Sequence, residues 1–296
     1  GGKQPMVSQD GRYVIAYNGE VYNFRAIRAE LEGLGRSFQS TSDTEVVLES
    51  YAEWGPNALQ RMRGMFAFAI WDSRLGHLFL ARDRFGEKPL YMAHAQHRLV
   101  FASELRTLLA TGAAQRRLSP QGLRSYLAWG SVAEPATIID GITSLPPAHF
   151  LTVQNGRAEV HAYWRPTLHR GAAMRLEEAV EKITPVLRES VELRLVSDVP
   201  VGVFLSGGID SSAIAAIASR RLGKELNAFT VTFEEAAMSE ETHARAVADQ
   251  LECRHHVLPL RPDEARAEVE SALEALDQPS ADGVNTYFVS KAVRST

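Results

Sequence analysis

The 296-residue sequence contains one cysteine, Cys253, so it can form no internal disulfide, and this scarcity fits a reducing, cytoplasmic setting. No apolar run approaches the ~18 residues of a membrane span. The start, GGKQPMVSQDG, has neither an initiator Met nor the basic-then-apolar order of a signal peptide. Neither sign of charge is in large excess. A formal net charge of −4 leaves no basic footprint for nucleic acid or an anionic membrane, so any nucleotide bound is expected to be a small one. Aromatic residues are sparse at 8%, beside 45% hydrophobic and 23% charged residues, an ordinary globular composition for a chain of about two domains. Internal repeats and low-complexity tracts are absent, as are the nucleotide-binding spellings G-x-G-x-x-G and G-K-S/T after a glycine loop.

What is present changes character along the chain. In the first half, RYVIAYNGEVYN has alternating apolar positions around an Asn-Gly turn. MFAFAIWD and HLFLARD bracket a Ser-Arg-Leu-Gly turn, and YMAHAQHRLVFAS fits a further hairpin. FRAIRAELEGLG and TSDTEVVLESYAEWG read as helices ending at Gly33 or Gly35 and at Gly55, the second with Ser42 and Glu45 in capping-box spacing. Hairpins with a few helices predict an α+β layered domain. Residues 111–175, with Pro120, Pro135, Pro146, Pro147 and Pro166, read as a domain edge and connector. Beyond them, EEAVEKITPVLRESVELRLV predicts a long helix that Pro185 either kinks or divides. VPVGVFL predicts a strand buried on both faces. Helix SSAIAAIASRRLG, strand ELNAFTVTF, helix SEETHARAVADQLEC and strand RHHVLPL follow, the alternation of an α/β parallel sheet.

Between VPVGVFL and its helix lies SGGIDSS, at what should be the carboxyl edge of a parallel sheet, where such sheets bind ligands. Gly207 and Gly208 permit close backbone approach, and Asp210, Ser211 and Ser212 open a helix whose amides point back at the corner. Free amides, a helix dipole and hydroxyls suit a phosphate, with Asp210 repulsive unless it holds a cation such as Mg²⁺. An ordinary capped strand–helix turn remains the alternative. The spelling adds to this: SDVPVGVFLSGGIDSS resembles the pyrophosphate loop of ATP pyrophosphatases, and in particular that of the glutamine-dependent asparagine synthetases. The resemblance implies that Ser206, Gly207, Gly208, Ser211 and Ser212 hold the pyrophosphate of ATP and that Asp210 contacts Mg²⁺. It also implies Leu205 and Val231 as the apolar flank of adenine, although both fit equally well as core strand residues.

The first half matches the same family, in its class II glutamine amidotransferase domain. Amide hydrolysis by a nucleophile needs an oxyanion hole and a grip on the substrate's α-amino and α-carboxyl groups. By resemblance, Asn18 and Gly19 of YNGEVYN form the oxyanion hole, and Asn18, Glu20 and Asp43 contact glutamine. Asn-Gly is equally a common hairpin turn and Asp43 a favourable charge in a first helical turn. RGMFAFAIWD, LFLARDRFGEKPLYM and FASELRTLL also resemble the family, so the likeness runs from about Arg12 to Ser295. Arg82, Arg84 and Lys88 are expected to brace a domain contact through ion pairs with acids such as Asp83 and Glu87.

Two departures qualify the likeness. The family's nucleophile is a cysteine at the mature N-terminus, whereas Gly1 stands first here and Cys253 reads as a buried structural thiol. A second glycine-rich loop and a later lysine of the family have no counterpart before Thr296; Asp277 matches a recurrent acid, and His255 with His256 makes a weak metal pair. A fragment missing both tips is the expectation, and such a piece alone should not hydrolyse glutamine.

The fold expected is therefore an N-terminal αββα sandwich of the N-terminal-nucleophile type over residues 1–164, a linker over 165–176, and an adenine-nucleotide α-hydrolase-like domain over 177–296. The activity expected is ATP-dependent amidation of aspartate through a β-aspartyl-adenylate, using ammonia from glutamine. Another carboxylate acceptor, such as a cell-envelope sugar or a peptide or antibiotic precursor, and a non-catalytic truncated paralogue are the alternatives. Glutamine, aspartate and ATP are the expected partners, with nucleic acid and membrane excluded and a homodimer left open by the family.

Overall fold

A computed structural model describes residues 2–95, 98–167, 171, 174–197, 199–233 and 240–294. They divide into two compact units: Gly1–Leu168 with Asp277–Pro279, and His169–Leu276 with Ser280–Thr296.

The first unit begins with strands β1 (Met6–Val7) and β2 (Tyr13–Val21), helices α1 (Phe24–Gly33), α2 (Asp43–Trp54) and α3 (Ala58–Arg61), and strands β3 (Gly64–Asp72) and β4 (His77–Arg82). It continues through β5 (Tyr91–Ala95), β6 (Arg98–Ala102), α4 (Leu105–Ala110), α5 (Pro120–Trp129), β7 (Ile142–Ser144), β8 (His149–Gln154) and β9 (Arg157–Ala162). One antiparallel sheet runs β1-β2-β3-β4-β8-β9 and a second runs β6-β5-β7.

The layering follows from side-chain size on alternate strand positions. Phe66, Phe68 and Ile70 of β3 point to one face, where they pack with Ile15, Phe79 and the helix residues Ile27, Leu31, Val47 and Tyr51. Between them, Ala67 and Ala69 point to the other face and, being small, let the second sheet approach with Leu90, Met92 and Leu145. That second sheet buries Tyr91, Ala93 and Ile142 against Leu105 and Leu108 of α4. The order is helix, sheet, sheet, helix, the expected αββα sandwich.

Several expectations change. Asn18-Gly19 is not a turn: β2 passes straight through it, paired with β3 from Tyr13↔Asp72 to Val21↔Gly64. The supposed connector contributes α5 and strands β7, β8 and β9 to the sandwich. The capping box is half formed. Ser42 accepts from the Thr44 amide, but Glu45 reaches the amides of Gln39 and Ser40 instead of Ser42.

The second unit contains α6 (Leu176–Arg194), β10 (Gly202–Phe204), α7 (Ile209–Leu222), β11 (Asn227–Phe233), α8 (Glu241–Leu251), β12 (Arg254–Leu260), α9 (Pro262–Ala275) and α10 (Gly283–Arg294). Its strands form a parallel sheet, β10-β11-β12. One face packs Leu205 and Ala228 against Ala215 of α7 and Ala244 and Ala248 of α8. Alanines on both helices permit that close approach. Pro185 leaves α6 unbroken: the Glu181 carbonyl it deprives of a donor lies on an exposed stretch, where water can serve it. The strand in VPVGVFL is shorter than expected and not buried on both faces. Gly202–Phe204 forms the strand at the sheet edge, the Leu205 amide adds one bond to the Phe229 carbonyl, and Phe204 is 54% exposed.

Candidate functional sites

In the first unit the candidate residues gather where β2 ends. Gly19 has φ +156, and a Cβ there would lie 2.2 Å from the Met65 carbonyl oxygen and 2.6 Å from Phe66 Cα, so no side chain fits. Its neighbour Asn18 is exposed, and its side-chain amide donates to Ser103 Oγ at 3.1 Å. Asp43, the first residue of α2, accepts from the Val21 amide (3.0 Å) and from the Tyr17 hydroxyl (2.7 Å), both on Oδ2. The Val21 bond stitches Asp43 beside half-buried Glu20, so two carboxylates flank the end of one strand. Among the described residues Asp43 Oδ1 has no hydrogen-bond partner, which leaves it to receive an ammonium. Burial, and then the Asp43 charge, push the Tyr17 phenol far above its ordinary value, so it stays protonated and acts as donor. Tyr17 and Ser103 carry no sequence signal of their own. Tyr17 adjoins Asn18, and strand alternation alone turns it to the α2 side.

The basic cluster nearby is structural, by a different route from the one expected. Buried Arg82 donates to the carbonyls of Lys88, Gly86 and Leu145 and pairs with Glu134 at 2.9 Å. Fully buried Asp83 accepts the amides of Phe66, Phe85, Glu87 and Lys88 at 3.0–3.2 Å. Arg84 donates to the carbonyls of Met62 and Gln60. The cluster holds the loop after β4 through backbone groups, not through Asp83 or Glu87 ion pairs.

In the second unit SGGIDSS leaves the carboxyl end of β10 and opens α7, as expected. Gly207 has φ +78, and a Cβ would lie 2.6 Å from both the Ala244 amide nitrogen and His243 Cβ. Ser206 and Ser211 hydroxyls contact each other at 2.9 Å, Gly208 N–H donates to Ser206 Oγ (3.2 Å), and Ser206 N–H donates to Ser211 Oγ (3.3 Å). No side chain caps α7, so the amides of its first turn face the loop without helical acceptors. Ser212 Oγ is buried with no hydrogen-bond partner among the described residues. Asp210 is exposed in the first turn. An orphaned hydroxyl, uncapped amides and a backbone cradle that a Cβ would fill fit a polyanionic phosphate group.

Leu205 is 1% exposed inside the α7–α8 core, so its side chain belongs to that core, whereas Val231 is half-buried opposite Leu258. The loop is anchored from below. Thr230 Oγ1 donates to the Leu205 carbonyl (2.6 Å) and therefore accepts from His255 Nε2 (2.8 Å), while His255 Nδ1 is buried without a partner. Burial, and then the Arg245 charge, lower the His255 pKa. His256 instead pairs with Asn227 at 2.9 Å and stacks on Phe229. Among the described residues no cluster of three or more His, Cys, Asp or Glu side chains could hold a metal ion. Cys253 is half-buried, with its thiol pKa raised by burial, in keeping with a structural thiol. Asp277 caps α4 within the first unit, where its carboxylate accepts the Leu105 and Arg106 amides. Among the described residues no helix is long and apolar enough to cross a membrane.

Residues 1–164 match the family model described as glutamine amidotransferase domain. The chain belongs to that family. Residues 182–296 of this amidotransferase-family chain match the model described as asparagine synthase. Similar curated proteins include the glutamine-hydrolyzing asparagine synthetase 3 of Bacillus subtilis, 38% identical over 242 residues, covering 79% of this chain and 39% of that protein. Asparagine synthetase 1 of the same organism is 34% identical over 298 residues, covering 99% and 46%. Amidase chry2 of Gibberella zeae is 31% identical over 315 residues, again covering 99% and 46%. The chain thus spans less than half the length of these relatives.

Proposed function

We propose that the chain is the glutamine-binding and ATP-binding part of a glutamine-hydrolysing asparagine synthase, with a glutaminase domain over 1–164, a linker over 165–176 and a synthetase domain over 177–296. The supporting observation is that one chain carries both an oxyanion-type corner beside paired carboxylates and an uncapped phosphate loop with an orphaned hydroxyl. In the first domain Asn18 Nδ2 and the Gly19 amide would donate to the oxyanion formed when a nucleophile adds to the glutamine side-chain amide, before that intermediate expels ammonia, while Glu20 and Asp43 hold the substrate's ammonium group. In the second, Ser206, Gly207, Gly208, Ser211 and Ser212 hold the pyrophosphate of ATP, with half-buried Val231, and not the core residue Leu205, flanking adenine. ATP bound there would transfer its adenylyl group to the aspartate carboxylate with release of pyrophosphate, and ammonia would convert the resulting β-aspartyl-adenylate to the amide with release of AMP. Asp210 is the residue that would contact Mg²⁺. The cytoplasm is the proposed compartment and a homodimer the proposed assembly.

Calorimetric titration tests the two halves separately. Mg·ATP binding that weakens in Asp210→Ala and Ser212→Ala, and glutamine binding that weakens in Asp43→Asn, are expected; absence of both ligands' binding would sink the reading. The likeness to Amidase chry2 favours keeping a second acceptor in view. Aspartate-dependent exchange of pyrophosphate into ATP, by the protein at its relatives' length, separates the two: exchange with a different carboxylate and none with aspartate selects the alternative.

A further inference from the structure

Helix α4 has no cap of its own. The residue before it, Glu104, makes no capping bond with its side chain. The cap comes from 172 residues later: Asp277 Oδ2 accepts the Leu105 amide at 2.6 Å, and Oδ1 accepts the Arg106 amide at 3.1 Å and its guanidinium at 3.4 Å. The next residue, Gln278, donates to the Tyr91 hydroxyl (3.1 Å) and accepts from the Ile138 amide (3.0 Å). Tyr91 is the register partner of Ala102, the last residue of β6. Ser103 therefore sits between two anchored points, Ala102 on one side and Leu105 on the other. Its hydroxyl is what the Asn18 side-chain amide donates to.

We infer that Asp277, assisted by Gln278, is a positioning residue for Asn18, fixing through α4 and Ser103 the direction in which that amide points. The inference rests on the reading of Asn18 as an oxyanion donor for its importance, but not for its geometry. Asn18 is exposed on the strand and needs an outside acceptor to hold one rotamer. Ser103 is that acceptor, and only two peptide units separate it from the capped amide of Leu105. A shift of the uncapped helix start is passed directly to it.

The test is the side-chain amide signal of Asn18 in the ¹⁵N-labelled chain, identified by its loss in Asn18→Asp. Ser103→Ala defines where this signal moves when its acceptor is removed. Asp277→Ala should move it the same way. Asp277→Asn, which keeps one accepting oxygen of the two, should move it part of the way. An Asn18 signal left at its wild-type position in Asp277→Ala, while the Leu105 and Arg106 amides shift, overturns the inference. Should Asp277→Ala not fold, Asp277→Asn decides alone: displacement toward the Ser103→Ala position supports it and none overturns it. Glutamine titrated into the same samples keeps the two readings apart. Failure of glutamine to bind the wild type removes the glutaminase reading and leaves the coupling intact, whereas normal binding with an unmoved Asn18 removes only the coupling.

Discussion

Replacing Gly207 by alanine separates two costs at the SGGIDSS loop. The first is conformational. At φ +78 an L-residue with a Cβ costs about 1–2 kcal/mol. The second is steric. The new methyl would lie 2.6 Å from the Ala244 amide nitrogen and from His243 Cβ, so the start of α8 must shift, an overpacking cost of about 1–3 kcal/mol. Together they predict a loss of about 2–5 kcal/mol in the second unit. Two comparators divide that sum. Gly223 has φ +56 with nothing within 4 Å of where a methyl would sit, so Gly223→Ala should show only the first cost. Gly208 is extended at φ −71 and ψ 164, with only Ser206 Oγ at 3.2 Å, so Gly208→Ala should stay within about 1 kcal/mol. The readout is built into the chain. Trp54, Trp71, Trp129 and Trp164 all lie in the first unit, so tryptophan fluorescence follows that unit while far-ultraviolet circular dichroism follows both. Denaturant titration of Gly207→Ala should shift the dichroism transition and leave the fluorescence transition in place. A Gly207→Ala variant no less stable than Gly223→Ala would refute the steric argument.

Other outcomes follow from the same geometry. Asp83→Ala strands the amides of Phe66, Phe85, Glu87 and Lys88 around a buried site, so the fluorescence-detected stability of the first unit should fall by about 3–5 kcal/mol. Tyr17→Phe removes one donor from Asp43 while the Val21 amide remains, so calorimetric glutamine affinity should weaken roughly 3- to 10-fold, and an unchanged affinity would detach Tyr17 from the site. His255 has a folded pKa below its unfolded value of 6.5, so the unfolded chain binds the proton that the folded one refuses. Stability of the second unit should therefore be fully present above that value and decline as pH falls through the window beneath it; His255→Gln should flatten this dependence in denaturant titrations at about pH 7.5 and pH 5.5.

The elements readable in the sequence are those whose cause is local. The Phe/Ala alternation of β3 and the Ser-Arg-Leu-Gly turn give a hairpin because both strand faces are spelled within nine residues. SGGIDSS likewise places its own glycines and hydroxyls within seven residues of chain. The misreadings have non-local causes. Asn18-Gly19 has the spelling of a turn, but Gly19 is there because β3 leaves no room for a Cβ. β9 is exposed along its whole length, so the alternation of Ala158, Val160 and Ala162 in RAEVHA marks no buried face, and pairing with β8 makes it a strand. VPVGVFL looks deeply buried by composition, yet its paired stretch is only Gly202–Phe204 with one further bond from the Leu205 amide, and it lies at an edge. Thr230 and His255 support the SGGIDSS loop from adjacent strands with no motif to announce them, and Leu205 is drawn into the core by the small alanines that face it.

The distant cap on α4 also sets an order of assembly. Leu105 leaves the ribosome 172 residues before its acceptor Asp277 does, and at the usual 5–20 residues per second that interval is roughly 9–34 s. During that time the sandwich has its strands but not the bond that finishes the start of α4. The second unit's strands and helices emerge in the same interval, so the first unit is completed only after most of the second has been made. Translation that stops before residue 277 leaves the sandwich with an open helix start, however complete its sheets.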